Sequence, residues 1–130
     1  HRLFHYHGAE HKTIHCYEKG EPLEVHLIQR YSTIHPRCGT AFLFIVLLIS
    51  IFAFSFITGG MAVKLLGRLL LIPVITGISY ELLKLGDRFS GSLVVRLLIS
   101  PGLWLQKITT QEPDDQQVEV GITALRKVTA

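Results

Sequence analysis

The feature that most constrains this chain is a run of 25 residues, from Gly39 to Val63, without a charged side chain. Its central part, residues 41 to 57, is almost wholly apolar. A helix rises 1.5 Å per residue, so about 20 apolar residues cross the hydrocarbon core of a bilayer. A chain of 130 residues is too short to bury a helix that is apolar on every side. The run therefore predicts a transmembrane helix rather than a buried core helix.

A second apolar stretch, residues 61 to 83, follows the glycine pair Gly59-Gly60. Lys64 and Arg68 near its start can keep their stems in lipid while their charges reach the interface. A short glycine turn makes consecutive helices antiparallel neighbours. The two stretches therefore predict a two-helix transmembrane hairpin.

The distribution of Lys and Arg predicts the orientation of this hairpin. Residues 1 to 40 hold five of these side chains, residues 81 to 130 hold six, and the turn side holds Lys64 and Arg68. Positive segments stay on the cytoplasmic side. We therefore expect a protein integral to the cell (inner) membrane, with both termini cytoplasmic and the lipid bilayer as a partner.

The expected fold is an all-α membrane protein of four segments. Residues 1–40 form a His- and Cys-rich, metal-binding cytoplasmic segment, and residues 41–85 form the transmembrane hairpin. Residues 86–108 form an interfacial amphipathic segment, broken at Pro101-Gly102; its alternative is a helix packed on the cytoplasmic part. Residues 109–130 have an acidic start and then form a C-terminal helix.

The charge pattern excludes one class of partner. The net charge is only +3, and Lys and Arg do not cluster among aromatic residues as on a nucleic-acid-binding surface. No nucleic-acid partner is expected, whereas a homo-oligomer is left open. Cys16 and Cys38 each lie near histidines, which in a reducing compartment favours metal binding over a disulfide.

All seven histidines precede the first predicted span. If residues 7 to 18 are helical, one stripe about 100° wide collects imidazoles and carboxylates. Its members are His7, Glu10, His11 and Glu18, with His15 at the margin. Two histidines four residues apart on a helix can hold a metal ion, although surface histidines on a solvated helix give the same pattern.

A second cluster lies just before the membrane run, where His35 and Cys38 have the spacing H-x-x-C on a turn. This spacing suits one tetrahedral ion. Together the clusters predict a metal site built from His7, His11, His35 and Cys38. The expected cofactor is a divalent ion, Zn²⁺ first and Fe²⁺ second. The alternative is a small buried cysteine and a histidine in a turn.

Carboxylates near these clusters are candidates for proton transfer. Glu10 and Glu18 are the predicted general bases, because each shares the histidine stripe. Glu112, Asp114 and Asp115 lie after the interfacial segment and could support the metal ligands from a second layer. For both aspartates, N-capping of the last helix is the simpler interpretation.

Several long motifs resemble one known family. They are Tyr6-His-Gly-Ala-Glu-His-Lys12, Tyr17-Glu18, His35-Pro-Arg-Cys-Gly-Thr40, Pro101-Gly-Leu-Trp-Leu-Gln106, Thr109-Thr110, Glu112-Pro-Asp-Asp115 and Glu119-Val120. They resemble the bacterial membrane family catalogued as domain of unknown function 1385, whose members are described as predicted metal-dependent enzymes without an assigned reaction. The matching pattern includes all nine candidate residues named above but neither His15 nor Cys16. The resemblance also implies further sequence upstream.

Two functions are compatible with these patterns. The first is a membrane-bound metal-dependent enzyme, expected to be a hydrolase, which acts on a lipid-linked or amphiphilic substrate at the membrane face. The second is a non-catalytic membrane protein in which a closed metal site serves assembly or partner binding. Transport is disfavoured, since two spans alone enclose no pathway.

Overall fold

A computed structural model describes residues 1–89 and 91–129, and the regular secondary structure of these residues is helical with no strand. The helices are α1 Arg2–Glu18, α2 Val25–Ile28, α3 Gly39–Ser55, α4 Met61–Arg88, α5 Leu93–Thr109 and α6 Asp115–Thr129. The predicted all-α class is confirmed for this part of the chain. The predicted last helix is also confirmed, from its acidic start to Thr129.

The chain divides into two compact units. The first consists of His1–His35 with Trp104–Ala130, and the second is Pro36–Leu103. Helices α1, α2 and α6 belong to the first unit, and α3 and α4 belong to the second. The last turns of α5 belong to the first unit and its earlier turns to the second.

The first unit has a small apolar core that α1, α2 and α6 share. Its buried members are Ala9, Cys16, Ile28, Val118 and Ile122, with Leu23, Val25, Leu27 and Tyr31 packed against them. Helix α6 presents Val118 and Ile122 on one face, as the helical period requires. Burial of this face fixes α1 against α6.

Gly8 allows α1 to approach the segment after α5. A Cβ atom at Gly8 would lie 2.1 Å from the carbonyl oxygen of Gln111. The Gln111 amide donates a hydrogen bond of 2.9 Å to the carbonyl of Phe4, one turn earlier on α1. The close approach of two backbones therefore depends on the missing side chain.

In the second unit, α3 and α4 form an antiparallel pair. The Arg37 side chain, just before α3, makes an ion pair of 2.9 Å with Asp87 in the last turn of α4. At the opposite end, Ile57 packs on Gly67, and Arg68 lies 5.6 Å from the ring centre of Phe54. Contacts at both ends establish the antiparallel order within this unit.

Helix α4 is long and apolar enough to cross a membrane, and only 6% of its 18-residue apolar window is buried. The core helix of a soluble protein would be mostly buried, so this exposure argues against that role. Helix α3 is apolar but has 17 residues, or about 26 Å, against about 30 Å of hydrocarbon. One span is thus supported by length and composition, whereas a second crossing is not established.

Helix α5 differs from the prediction in one respect. The sequence predicted a break at Pro101-Gly102, but the helix runs through both residues. A proline removes the hydrogen bond to the carbonyl four residues earlier. Here the hydroxyl of Ser100 donates a hydrogen bond of 2.8 Å to that carbonyl, on Leu97. Because this oxygen is satisfied, the helix continues.

Replacement of Gly8 by alanine should destabilise the first unit by about 1–3 kcal/mol, since two backbones must separate. In an open helix the same change stabilises by up to about 1 kcal/mol. Gly77→Ala is the control, because nothing lies within 4 Å of a Cβ there. Thermal unfolding in detergent measures both. A Gly8→Ala variant as stable as the parent would contradict the close approach.

Candidate metal centre

Four imidazoles of the first unit form a row along α1. His7, His11 and His15 follow at intervals of one turn on the same face, and His35 comes from the segment after α2. Ring centroids are 4.4 Å apart for His7 and His11, 5.8 Å for His11 and His35, and 4.6 Å for His15 and His35. Each ring in the row thus has another imidazole as its neighbour.

Backbone carbonyls fix the proton positions of the three α1 rings. Nδ1 of His7 lies 2.9 Å from the carbonyl of Thr109, and Nδ1 of His11 lies 2.5 Å from that of Thr33. His15 instead uses Nε2, which lies 2.9 Å from the carbonyl of Ile34. A carbonyl only accepts, so each of these nitrogens carries the proton. In the neutral ring, the other nitrogen is then the acceptor, as in histidines that ligate metals.

The His35 backbone is held by the side chain of Gln106, which is fully buried. The His35 amide donates to the Gln106 carbonyl oxygen at 2.8 Å, and the Gln106 amide donates to the His35 carbonyl at 2.9 Å. This pair of hydrogen bonds fixes both the position and the rotation of the His35 peptide. Its ring is therefore presented to α1 in one orientation.

Burial lowers the pKa of His35, and this outweighs the hydrogen bond to Glu18, which acts in the opposite direction. Neighbouring His15 and His11 also lower the pKa. Because its pKa is lowered from the ordinary value, the His35 ring is mostly neutral at pH 7. The neutral form is the one that a metal ion binds.

His15, Glu18 and His35, called the trio below, have the geometry of a metal site. One potential ligand atom from each lies within 4.8 Å of the other two. Nε2 of His35 is 3.2 Å from a carboxylate oxygen of Glu18. Two ligands of a tetrahedral ion with bonds of about 2.1 Å are about 3.4 Å apart. Imidazole and carboxylate groups are ligands that Zn²⁺ accepts, so these residues fit the divalent ion that the sequence predicts.

The other predicted site residues are distributed as follows. His7 and His11 are neighbours in the row. Glu10 is exposed and faces a groove of about 360 Å³ between α1 and α6. Cys38 belongs to the second unit, where its Sγ lies 3.1 Å from Oγ1 of Thr40. A role for Cys38 as a ligand and for Glu10 as a base stays a prediction.

The three acidic residues after α5 have contacts within the first unit. Glu112 makes an ion pair of 2.5 Å with the buried Lys12. Oδ1 of Asp114 accepts the Gln117 amide at 2.8 Å, and the Gln117 side chain accepts the Asp114 amide at 2.9 Å. This reciprocal pair is a capping box at the start of α6. Asp115 accepts a hydrogen bond of 3.1 Å from Gln29. These contacts attach the segment to α1, α6 and the α2 region.

The sequence gives only a weak indication of two residues that take part in this site, His15 and Gln106. His15 lay at the margin of the predicted stripe, although its spacing of four and eight residues from His11 and His7 placed it one turn further along the same face. Gln106 was only part of a motif. Cys16, in contrast, is a core residue, and burial raises the pKa of its thiol, with a smaller effect from Glu21.

The family described as Protein of unknown function (DUF1385) matches residues 1–130. The chain belongs to this family. It is also 41% identical over 128 residues to the uncharacterized protein YqhQ of Bacillus subtilis (strain 168), covering 98% of this chain. That alignment covers 40% of the relative's length, so the chain spans less than half of it. No solved structure matches this member of the DUF1385 family.

Replacement of Gln106 by leucine should destabilise the first unit by about 2–4 kcal/mol, because it leaves the His35 amide and carbonyl buried without partners. Zinc affinity should fall in the same variant, since the ring of His35 loses its fixed position. Gln116→Leu, on the exposed side of α6, is the matched control. Thermal unfolding and zinc titration measure both effects. Equal stability of the two variants would refute the role assigned to Gln106.

Proposed function

We propose that this protein is a membrane-bound, metal-dependent hydrolase whose ion is held at the trio by the imidazoles of His15 and His35, with Glu18 beside the ion as the base. The observation that carries the proposal is the convergence of two imidazoles and one carboxylate from separate parts of the first unit. The carbonyl bond of His15 and the Gln106 bonds of His35 orient the two rings before an ion binds. Preorganised ligands of this kind are typical of metal centres.

Glu18 is the acid best placed to move a proton at this site. Its carboxylate is in contact with His35 and is partly exposed, so it can exchange protons with solvent. Glu10 lies on the groove side of α1, which favours Glu18 for this role. A bound divalent ion supplies Lewis-acid activation of water, because it lowers the pKa of that water toward 7. Glu18 would accept the proton that this water releases.

The membrane part of the proposal is a two-span hairpin of α3 and α4. Large apolar side chains are exposed along both helices, among them Leu47, Phe52, Leu66, Leu70 and Val74. In lipid such side chains need no protein cover. Three residues separate His35 from the first residue of α3, so the chain passes directly from the trio into the apolar helix. A lipid-linked or amphiphilic substrate at the cytoplasmic face of the inner membrane follows as the expected class.

Replacement of Glu18 by glutamine tests the reaction. The variant keeps an oxygen that can accept from His35 but cannot accept a proton. It should retain zinc and its melting temperature, while hydrolysis of amphiphilic esters or phosphoesters should fall by about 10²–10⁴-fold. Glu24→Gln is the matched control, since Glu24 is an exposed acid of the same unit. Elemental analysis, thermal unfolding and a hydrolysis panel are the measurements.

The same variant distinguishes a metal-dependent enzyme from a protein whose metal site is only structural. If zinc and thermal stability are lost together in Glu18→Gln, Glu18 is a ligand rather than the base. If zinc stabilises the parent protein and no ester or phosphoester is hydrolysed, the site serves assembly or partner binding instead. Neither result is compatible with the proposed role of Glu18.

Thiol labelling in intact cells tests the hairpin. A membrane-impermeant reagent should label Gly60→Cys from outside, whereas Thr129→Cys should react only after the membrane is opened. The parent chain gives the background, because native Cys16 and Cys38 are both buried. Labelling of both positions from the same side would exclude two crossings.

A further inference from the structure

The imidazole row divides into two sets by the nitrogen that carries the proton. His7 and His11 both donate through Nδ1 to backbone carbonyls, so both have Nε2 as the acceptor. His15 donates through Nε2 and therefore has Nδ1 as its acceptor. The acceptor atom is therefore Nε2 in both His7 and His11. In His15, the ring that belongs to the trio, the acceptor atom is Nδ1.

The distance between the two ends of the row also argues that His7 and His15 bind different ions. His7 and His15 are eight residues apart on α1, which is about 12 Å along the helix axis. Two atoms that ligate the same ion through bonds of about 2.1 Å are at most about 4.2 Å apart. Each ring is held by its own carbonyl, so the two ends of the row are not expected to share one ion.

We propose that His7 and His11 hold a second divalent cation through their Nε2 atoms, separate from the ion of the trio. This inference rests on the proposed function and adds a second bound ion to the same imidazole row. Two histidines four residues apart on one helix face are a known zinc-binding pair. Their ring centroids are only 4.4 Å apart. The fixed Nδ1–H bonds to Thr109 and Thr33 orient both rings without an ion.

The experiment is a zinc titration of the full chain in detergent, after removal of bound metal with a chelator. Zn²⁺ alone is the probe, and equilibrium dialysis with elemental analysis gives the number of ions per chain. His7→Asn and His11→Asn keep a donor at the position of Nδ1 but have no Nε2. His15→Gln keeps a donor at the position of Nε2 but has no Nδ1. His26→Ala, an exposed histidine of α2, is the control.

The parent chain and the His26→Ala variant should bind two ions. His7→Asn and His11→Asn should each bind one fewer, with the same helix content in chelator as the parent, and the remaining ion should be lost on adding His15→Gln. A parent that binds a single ion, retained in His7→Asn but lost in His15→Gln, would overturn the second site and leave the proposed function intact. Retention of every ion in His15→Gln would instead overturn the trio.

Discussion

The first unit depends on hydrogen bonds between side chains and the backbone of segments that have no regular structure. Rings on α1 donate to the carbonyls of Thr33, Ile34 and Thr109, and Gln106 binds both polar groups of the His35 peptide. Buried backbone groups outside helices need such partners. The same bonds that satisfy the backbone also place four imidazoles in a row and fix the protons of the three rings on α1. Removal of a ring would therefore disturb both the fold and the candidate site.

The parts of the structure that follow from local patterns were predictable. The helical period placed His7, His11 and Glu18 on one face, the charge-free run indicated an apolar helix, and the acids after Pro113 marked the start of α6. Each depends on residues close together in sequence. The helical spacing also indicated His15. The predicted stripe was narrow, however, so His15 lay at its margin.

Features that depend on individual side-chain hydrogen bonds or on tertiary packing were not predictable. Gln106 lies 71 residues from His35, and nothing in its neighbourhood marks it as the residue that holds the His35 peptide. The continuation of α5 through Pro101 depends on the Ser100 hydroxyl, which donates to the carbonyl that Pro101 leaves without its backbone donor. The general rule that proline breaks a helix does not take such a side-chain bond into account. Glu10 and Glu18 share the predicted stripe, yet only the packing of α6 distinguishes the groove side from the histidine side.

The trio occupies the carboxyl-terminal end of α1, since Glu18 is the last residue of that helix. Aligned peptide dipoles give this end of a helix a partial negative charge, and the field decays within about one turn. A cation bound by His15 and His35 beside Glu18 would lie in this field, whereas one bound near the middle of the helix by His7 and His11 would not. The helix would thereby favour the terminal position electrostatically, so that at limiting zinc this position would fill before the middle one.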